Sequence, residues 1–321
     1  MDFCRKLLLK TVTTTLPEEA AAFIKCGGIV AFGTETVYGL AANVFDEVAI
    51  AKIFEAKQRP ADNPLIAHIY DLVQLNDLVT NVTESAQKFI DNFFPGPLTI
   101  VLKKQDRIPM NATAGLDTIG VRMPNLDSTR RFLRLCEVPV VAPSANISGR
   151  PSPTTWQAVL EDLDGRIDCI LKGDPTQIGL ESTVVDCTGK VPVVLRSGSV
   201  SIDDLRSVIP ETIAVSGDTS DVPSSPGMKH KHYSPVARVI IVSDAADAIS
   251  GHRNAYIGID DVPDGFSIKM ICRDVAEYAR EIFEFLRECD RKGIRTVYCQ
   301  SVSDAGIGTA LMDRLRRASE D

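Results

Sequence analysis

From Leu16 to about Ile209 the chain alternates short β-branched runs with helical patterns, and at Pro210 the alternation breaks. Such alternation confines a chain to the α/β class, because each half-buried strand needs a helix or another strand over its apolar face. The first helix is expected to start at Thr15, with Glu18 completing a capping box, and to stop at Gly27-Gly28. Strands are expected at 29–32, 65–70, 98–103, 118–123, 138–142, 168–171, 182–186 and 193–196, with helices at 46–57, 83–94, 127–136 and 154–163. The stretch 182–196 has no room for a crossover helix between its two strands, which points to a mixed rather than a purely parallel sheet.

Residues 210–236 are rich in Ser, Gly, Pro and Asp and read as an inter-domain linker. Beyond it, strands are expected at 237–242, 255–259, 268–271 and 296–300, with helices at 274–292 and 309–318. This predicts two domains, 1–209 and 237–321, joined by 210–236, and 321 residues suffice for two separate cores. Within the linker, Met228, Lys229, His230, Lys231, His232 and Tyr233 set cations beside an aromatic ring, which reads either as a solvated basic strand or as a lid whose ring could contact a nucleotide.

Several classes are disfavoured. No stretch approaches the roughly 20 apolar residues that span a bilayer, and the N-terminal run with its three leucines makes a poor secretory signal, so a cytoplasmic protein without membrane contact is expected. The eight cysteines form no C-x-x-C pair and read as buried thiols. A formal net charge of −8 argues against bulk-charge binding of nucleic acid, so any tRNA contact is expected to be weak and local. There is no G-x-x-x-x-G-K-[ST] loop, kinase signature or G-x-S-x-G elbow.

Four segments place polar groups at strand ends, where open α/β sheets hold their ligands. They are the hydroxyl-rich turn Thr34-Glu35-Thr36; the Lys57-Gln58-Arg59 ledge with Asn63-Pro64-Leu65, leading to His68; Pro143-Ser144-Ala145-Asn146; and Ser182-Thr183, coupled to Arg196. Each has a plain structural reading as a turn or a helix-dipole complement. Together Lys57, Arg59, Arg122 and Arg196 offer four cations beside hydroxyls in an otherwise acidic chain, which favours a polyanion such as a nucleoside triphosphate.

These segments, taken in order with Ser225-Pro226-Gly227-Met228-Lys229-His230-Lys231-His232-Tyr233-Ser234-Pro235 and with Gly306-Ile307-Gly308-Thr309-Ala310-Leu311 and Asp313-Arg314-Leu315, resemble the YrdC-like L-threonylcarbamoyladenylate synthases in their long form. The resemblance covers nearly the whole chain. It implies a YrdC-like twisted mixed-sheet domain followed by a small Rossmann-like three-layer α/β domain. It also implies that L-threonine, bicarbonate and ATP yield threonylcarbamoyl-AMP and pyrophosphate for a downstream complex that transfers the group to tRNA. By resemblance, L-threonine is met by Thr36, His68, Arg122, Ala142 and Ser182. ATP is met by Arg59, Asn63, Thr118, Ser144, Asn146, Ser152, Arg196 and Tyr233, and Lys57, Arg59 and Arg196 carry catalysis. Mg2+ is expected to bridge the phosphates without direct protein ligands. Departures are proline replaced at Gly33 and Ser197 and glycine replaced at Gln58, none of which removes a charge or hydroxyl. A module that binds double-stranded RNA without turnover is the competing reading. A related domain also serves carbamoyl transfer to a protein thiol, but there it is joined to acylphosphatase and zinc-finger modules.

Overall fold

A computed structural model describes residues 10–214 and 233–320. The first domain contains β1 (Val12–Thr14), α1 (Pro17–Lys25), β2 (Val30–Phe32), β3 (Gly39–Asn43), α2 (Glu47–Lys57), β4 (Ile66–His68), α3 (Leu75–Leu78), α4 (Glu84–Phe93) and β5 (Leu98–Lys103). It continues with β6 (Thr118–Arg122), α5 (Asp127–Cys136), β7 (Val140–Val141), α6 (Trp156–Leu163), β8 (Cys169–Leu171), β9 (Thr183–Asp186), β10 (Val193–Arg196), α7 (Ile202–Val208) and β11 (Ile213–Ala214). Its strands form one mixed sheet in the order β1-β8-β2-β3-β7-β4-β6-β5-β9-β10-β11. The expected mixture is explicit at the site end, where β4 and β6 are parallel while β9 and β10 are antiparallel.

Caps explain several boundaries. Asp46 accepts the backbone N–H groups of Val48 and Ala49 at the start of α2, and the Thr83 hydroxyl accepts that of Ala86 at the start of α4. The capping box expected at Thr15 and Glu18 does not form. Pro17 opens α1 with Leu16 as N-cap, the Leu16 N–H is taken by the Thr14 hydroxyl, and Glu18 pairs with Arg131 instead. Three strands fall where none was expected. Val12–Thr14 pairs parallel with β8, Gly39–Asn43 pairs antiparallel with β2 and β7, and Ile213–Ala214 joins β10 within the segment read as linker. The Lys229 to His232 run lies outside the described residues.

The second domain holds β12 (Arg238–Val242), β13 (Gly251–Gly258), β14 (Phe266–Ile271), α8 (Val275–Arg291), β15 (Thr296–Gln300) and α9 (Ile307–Ser319). Its sheet, β12-β15-β13-β14, is parallel throughout. Both helices cover one face, through Phe283, Leu286, Leu311 and Leu315 against Ala255, Ile257 and Val297. The opposite face is closed by Tyr256, Tyr298, Phe266 and a 3-10 turn at Ala245–Asp247 rather than by a helix.

The two domains share a core. Val37 and Leu180 of the first are buried in the second domain's apolar cluster, together with Tyr233. Two buried ion pairs flank this contact: Arg287 with Asp162 at 2.8 Å and Arg314 with Glu181 at 3.1 Å. Gly179, at φ 82°, is pressed so close to α8 that a Cβ there would lie 2.4 Å from the Arg280 backbone.

Candidate active site

A cleft opens at the strand ends of the first domain, beneath the second. The parallel strands β4 and β6 end on His68 and Arg122, which are register partners, and so deliver both side chains to the same place. Antiparallel pairing does the same for β9 and β10, because the start of one meets the end of the other. There Arg196 donates to the Ser182 carbonyl from Nε (3.1 Å) and Nη2 (3.0 Å), and to the Ser182 Oγ from Nη2 (3.1 Å). The approach depends on Gly198, where a Cβ would stand 2.3 Å from the Thr183 nitrogen. From the neighbouring strand β5, the Thr99 hydroxyl bonds that of Ser182 at 2.8 Å.

The turn after β2 is held by its own hydroxyls. Thr34 and Thr36 Oγ1 atoms are 2.8 Å apart, and Thr36 accepts from Arg122 Nη1 at 2.8 Å. Glu35 lies 2.7 Å from Arg122 Nη2, close enough for a buried ion pair though off the line of a hydrogen bond. Arg122 Nε reaches the Gly96 carbonyl at 3.3 Å, so this guanidinium is fixed in orientation from three sides.

His68 is buried, and its Nδ1 lies 3.1 Å from the Ile66 carbonyl. Burial, reinforced by Arg122, pushes its pKa down to about 3. The ring is therefore neutral at physiological pH. Donation from Nδ1–H to Ile66 leaves Nε2 as an acceptor.

Of the residues singled out in the sequence, Thr36, His68, Arg122, Ala142 and Ser182 line the cleft, as do Arg59, Ser144, Asn146, Ser152, Arg196 and Tyr233. Three do not. Thr118, at the far end of β6 from Arg122, lines a smaller adjoining hollow that shares Ile66 with the cleft. Asn63 lies behind Arg59, which donates to its carbonyl at 3.3 Å, and neither of its buried amide atoms has a hydrogen-bond partner among the described residues. Lys57 is only 1% exposed, and its Nζ donates to the carbonyls of Ser144 and Asn146 at 2.5 Å each. Burial, with Arg59 nearby, pulls its ammonium well below the usual lysine range. Lys57 thus braces the Ser144–Asn146 turn from behind, with its Nζ on two carbonyls and not in the cleft lining.

Glu181 was missed. It lines the cleft, accepting from Ser152 Oγ at 2.5 Å and from Arg314 Nε at 3.1 Å. A search for cations and hydroxyls passes over a carboxylate beside Ser182, and its partner Arg314 lies 133 residues away in the chain. Tyr233, at φ 63°, stacks on Phe283 with ring centroids 5.3 Å apart, which brings the second domain's core to the cleft wall.

A twisted mixed sheet with a basic, hydroxyl-lined cleft, roofed by a second α/β domain, defines a YrdC-like protein in two-domain form. Residues 22–198 match the family described as Telomere recombination, and residues 200–320 match that described as Threonylcarbamoyl-AMP synthase, C-terminal domain. The chain therefore belongs to the two-domain threonylcarbamoyl-AMP synthase family. It is 44% identical to the threonylcarbamoyl-AMP synthase of Pyrococcus abyssi, covering 94% of this chain and 93% of that one. Against the Bacillus subtilis enzyme of the same name the identity is 39%, over 94% and 92%. The crystal structure of P. abyssi Sua5 complexed with L-threonine superposes with a TM-score of 0.89 at 40% identity, covering 96% of each chain. Escherichia coli YciO, at 23% identity and a TM-score of 0.52, shares the fold of the first domain.

Proposed function

We propose that this chain condenses L-threonine, bicarbonate and ATP into threonylcarbamoyl-AMP and pyrophosphate. The observation that carries the reading is the convergence of three buried or half-buried guanidinium groups, Arg59, Arg122 and Arg196, on a rim of hydroxyls in a half-open cleft that Arg150 also borders. Threonine occupies the end formed by Thr36, His68, Arg122 and Ser182, its carboxylate on the oriented Arg122. The triphosphate lies toward Arg59, Ser144, Asn146 and Arg196, with Asn63 and Thr118 on the nucleoside side and Tyr233 closing the cleft. Burial lowers the pKa of Arg59 only to about 10, so it remains a cation where phosphates must be held.

Bicarbonate supplies carbon dioxide to the threonine amine, which gives up a proton so that one water leaves and a carbamate forms, and a carbamate oxygen then attacks the α-phosphorus as the bond to pyrophosphate breaks. The side chains align the reactants and stabilise developing charge, which can recover roughly 7–11 kcal/mol of barrier. Magnesium fits as an ion carried in by the phosphates. Glu181 is the one carboxylate lining the cleft among the described residues, and both its oxygens are already engaged. Ser144 and Asn146 remain as neutral oxygen donors. When bound, the ion would screen phosphate charge. The product is a reactive mixed anhydride, suited to immediate use by a downstream tRNA-modifying transfer complex. Among the described residues, no helix is long and apolar enough to cross a membrane.

Pyrophosphate release from ATP is expected to require threonine and bicarbonate together. Equal release without threonine would reject the proposal, and salt-sensitive RNA binding without turnover would favour the binding-module reading. Because His68 stays neutral, kcat/KM for threonine should show no histidine titration between about pH 5.5 and 8. An inflection near 6.5 that disappears in His68→Gln would contradict this assignment.

A further inference from the structure

We infer that Arg314, from the second domain, is a positioning residue of the cleft: it neutralises Glu181 and turns that carboxylate toward Ser152, so that the nucleotide phosphates do not meet a bare negative charge. This rests on the reading of the cleft as an ATP site. Arg314 is 1% exposed, and its nitrogens are engaged on three sides. Nε donates to Glu181 Oε2 at 3.1 Å, Nη1 to Asp313 Oδ2 at 2.7 Å and Nη2 to the Ser197 carbonyl at 3.0 Å. Its guanidinium carbon is 5.4 Å from the centroid of the Tyr233 ring. The contacts beyond α9 all belong to the cleft or its wall: Glu181 and Tyr233 line it, and Ser197 directly follows Arg196.

The carboxylate makes the arrangement more than a domain clamp. Burial pushes the Glu181 carboxyl up, but Arg314, then Arg196 and the Ser152 hydroxyl, outweigh burial and hold it below the usual range. Glu181 is thus ionised inside a site built for an anion, and a buried charge left without its partner is costly. The second interdomain pair provides an internal comparison. Arg287 and Asp162 are as deeply buried, and Arg287 also donates to the Pro151 carbonyl at 2.6 Å, yet Asp162 does not line the cleft.

The test compares Arg314→Met, the double variant Arg314→Met with Glu181→Gln, Arg314→Lys and Arg287→Met in the full chain. It reads Tm, kcat, KM for ATP and threonine, and calorimetric binding of a non-hydrolysable ATP analogue. Arg314→Met should raise KM for ATP about 10- to 100-fold, more than KM for threonine, because the exposed charge opposes the phosphates. Adding Glu181→Gln should restore most of the ATP affinity but only part of the Tm, because the unpaired charge is gone while the Arg314 contacts to Asp313 and the Ser197 carbonyl remain lost. Arg287→Met should lower Tm and leave KM for ATP within about threefold. If Arg314→Met does not fold, Arg314→Lys carries the test: the retained charge should keep KM for ATP within about threefold while the lost fork lowers Tm. ATP affinity unchanged in Arg314→Met, no recovery in the double variant, or an ATP defect in Arg287→Met equal to that of Arg314→Met would each overturn the inference. A wild-type chain without threonine-dependent pyrophosphate release would instead overturn the functional reading.

Discussion

Arg196→Ala is expected to lower kcat/KM for ATP by about 10²- to 10³-fold, the usual effect of removing an oriented charge donor from a transition state. The side chain is positioned before any ligand arrives, since it is tied to both the carbonyl and hydroxyl of Ser182. Little reorganisation is then needed when negative charge builds on the phosphates. Removing the guanidinium also leaves the Ser182 carbonyl short of donors, so a modest loss of stability should accompany the kinetic defect, about 1–3 kcal/mol. Steady-state kinetics with a thermal scan separates the two. A change in kcat/KM smaller than tenfold would remove Arg196 from the phosphate site.

Lys57→Met should act chiefly on the fold. The ammonium serves two carbonyls in the Ser144–Asn146 turn, and the Ser148 N–H returns to the Lys57 carbonyl at 2.9 Å, so helix α2 and the turn are locked together. Methionine fills the stem volume but donates nothing, leaving two buried acceptors unpaired at about 1–3 kcal/mol each. For a domain of this size that corresponds to a fall in Tm on the order of 5–25 °C. Kinetics measured below the new Tm should still show a weakened site, because Ser144 and Asn146 lose their brace. An unchanged Tm with lost turnover would return Lys57 to the role of direct phosphate ligand.

These two residues show what the sequence could reveal. Arg196 and Arg122 stood at the ends of β-branched runs, where strand direction alone places a side chain at the ligand edge, and both line the cleft. Lys57 carries the same signal as Arg59, a cation at a helix end, but Lys57 is the last residue of α2 and points inward, whereas the left-handed C-cap Gln58, at φ 52°, redirects the chain so that Arg59 reaches the cleft. Nothing in a pair spaced two apart distinguishes them. Strand β3, Gly-Leu-Ala-Ala-Asn, has no β-branched residue, and its strand character comes from pairing with β2 and β7. Arg314 stands in a run that resembles the family, but its place at the cleft is not legible in the sequence for a different reason. Its helix reads as ordinary amphipathic surface, and only the docking of the domains turns one of its arginines into part of the cleft.

The placement of β8 between β1 and β2 has a consequence for how the chain is made. Cys169 is the register partner of both Val12 and Val30. As the protein leaves the ribosome, the two early strands have no central partner until Cys169–Leu171 is synthesised, well over a hundred residues later. At roughly 5–20 residues per second that delay is on the order of ten seconds. Throughout it, the buried apolar strand Val30–Phe32 lacks its partner on one side. Nascent chains of this protein therefore pass that interval with an open sheet edge, the kind of edge that pairs with its like unless it is covered.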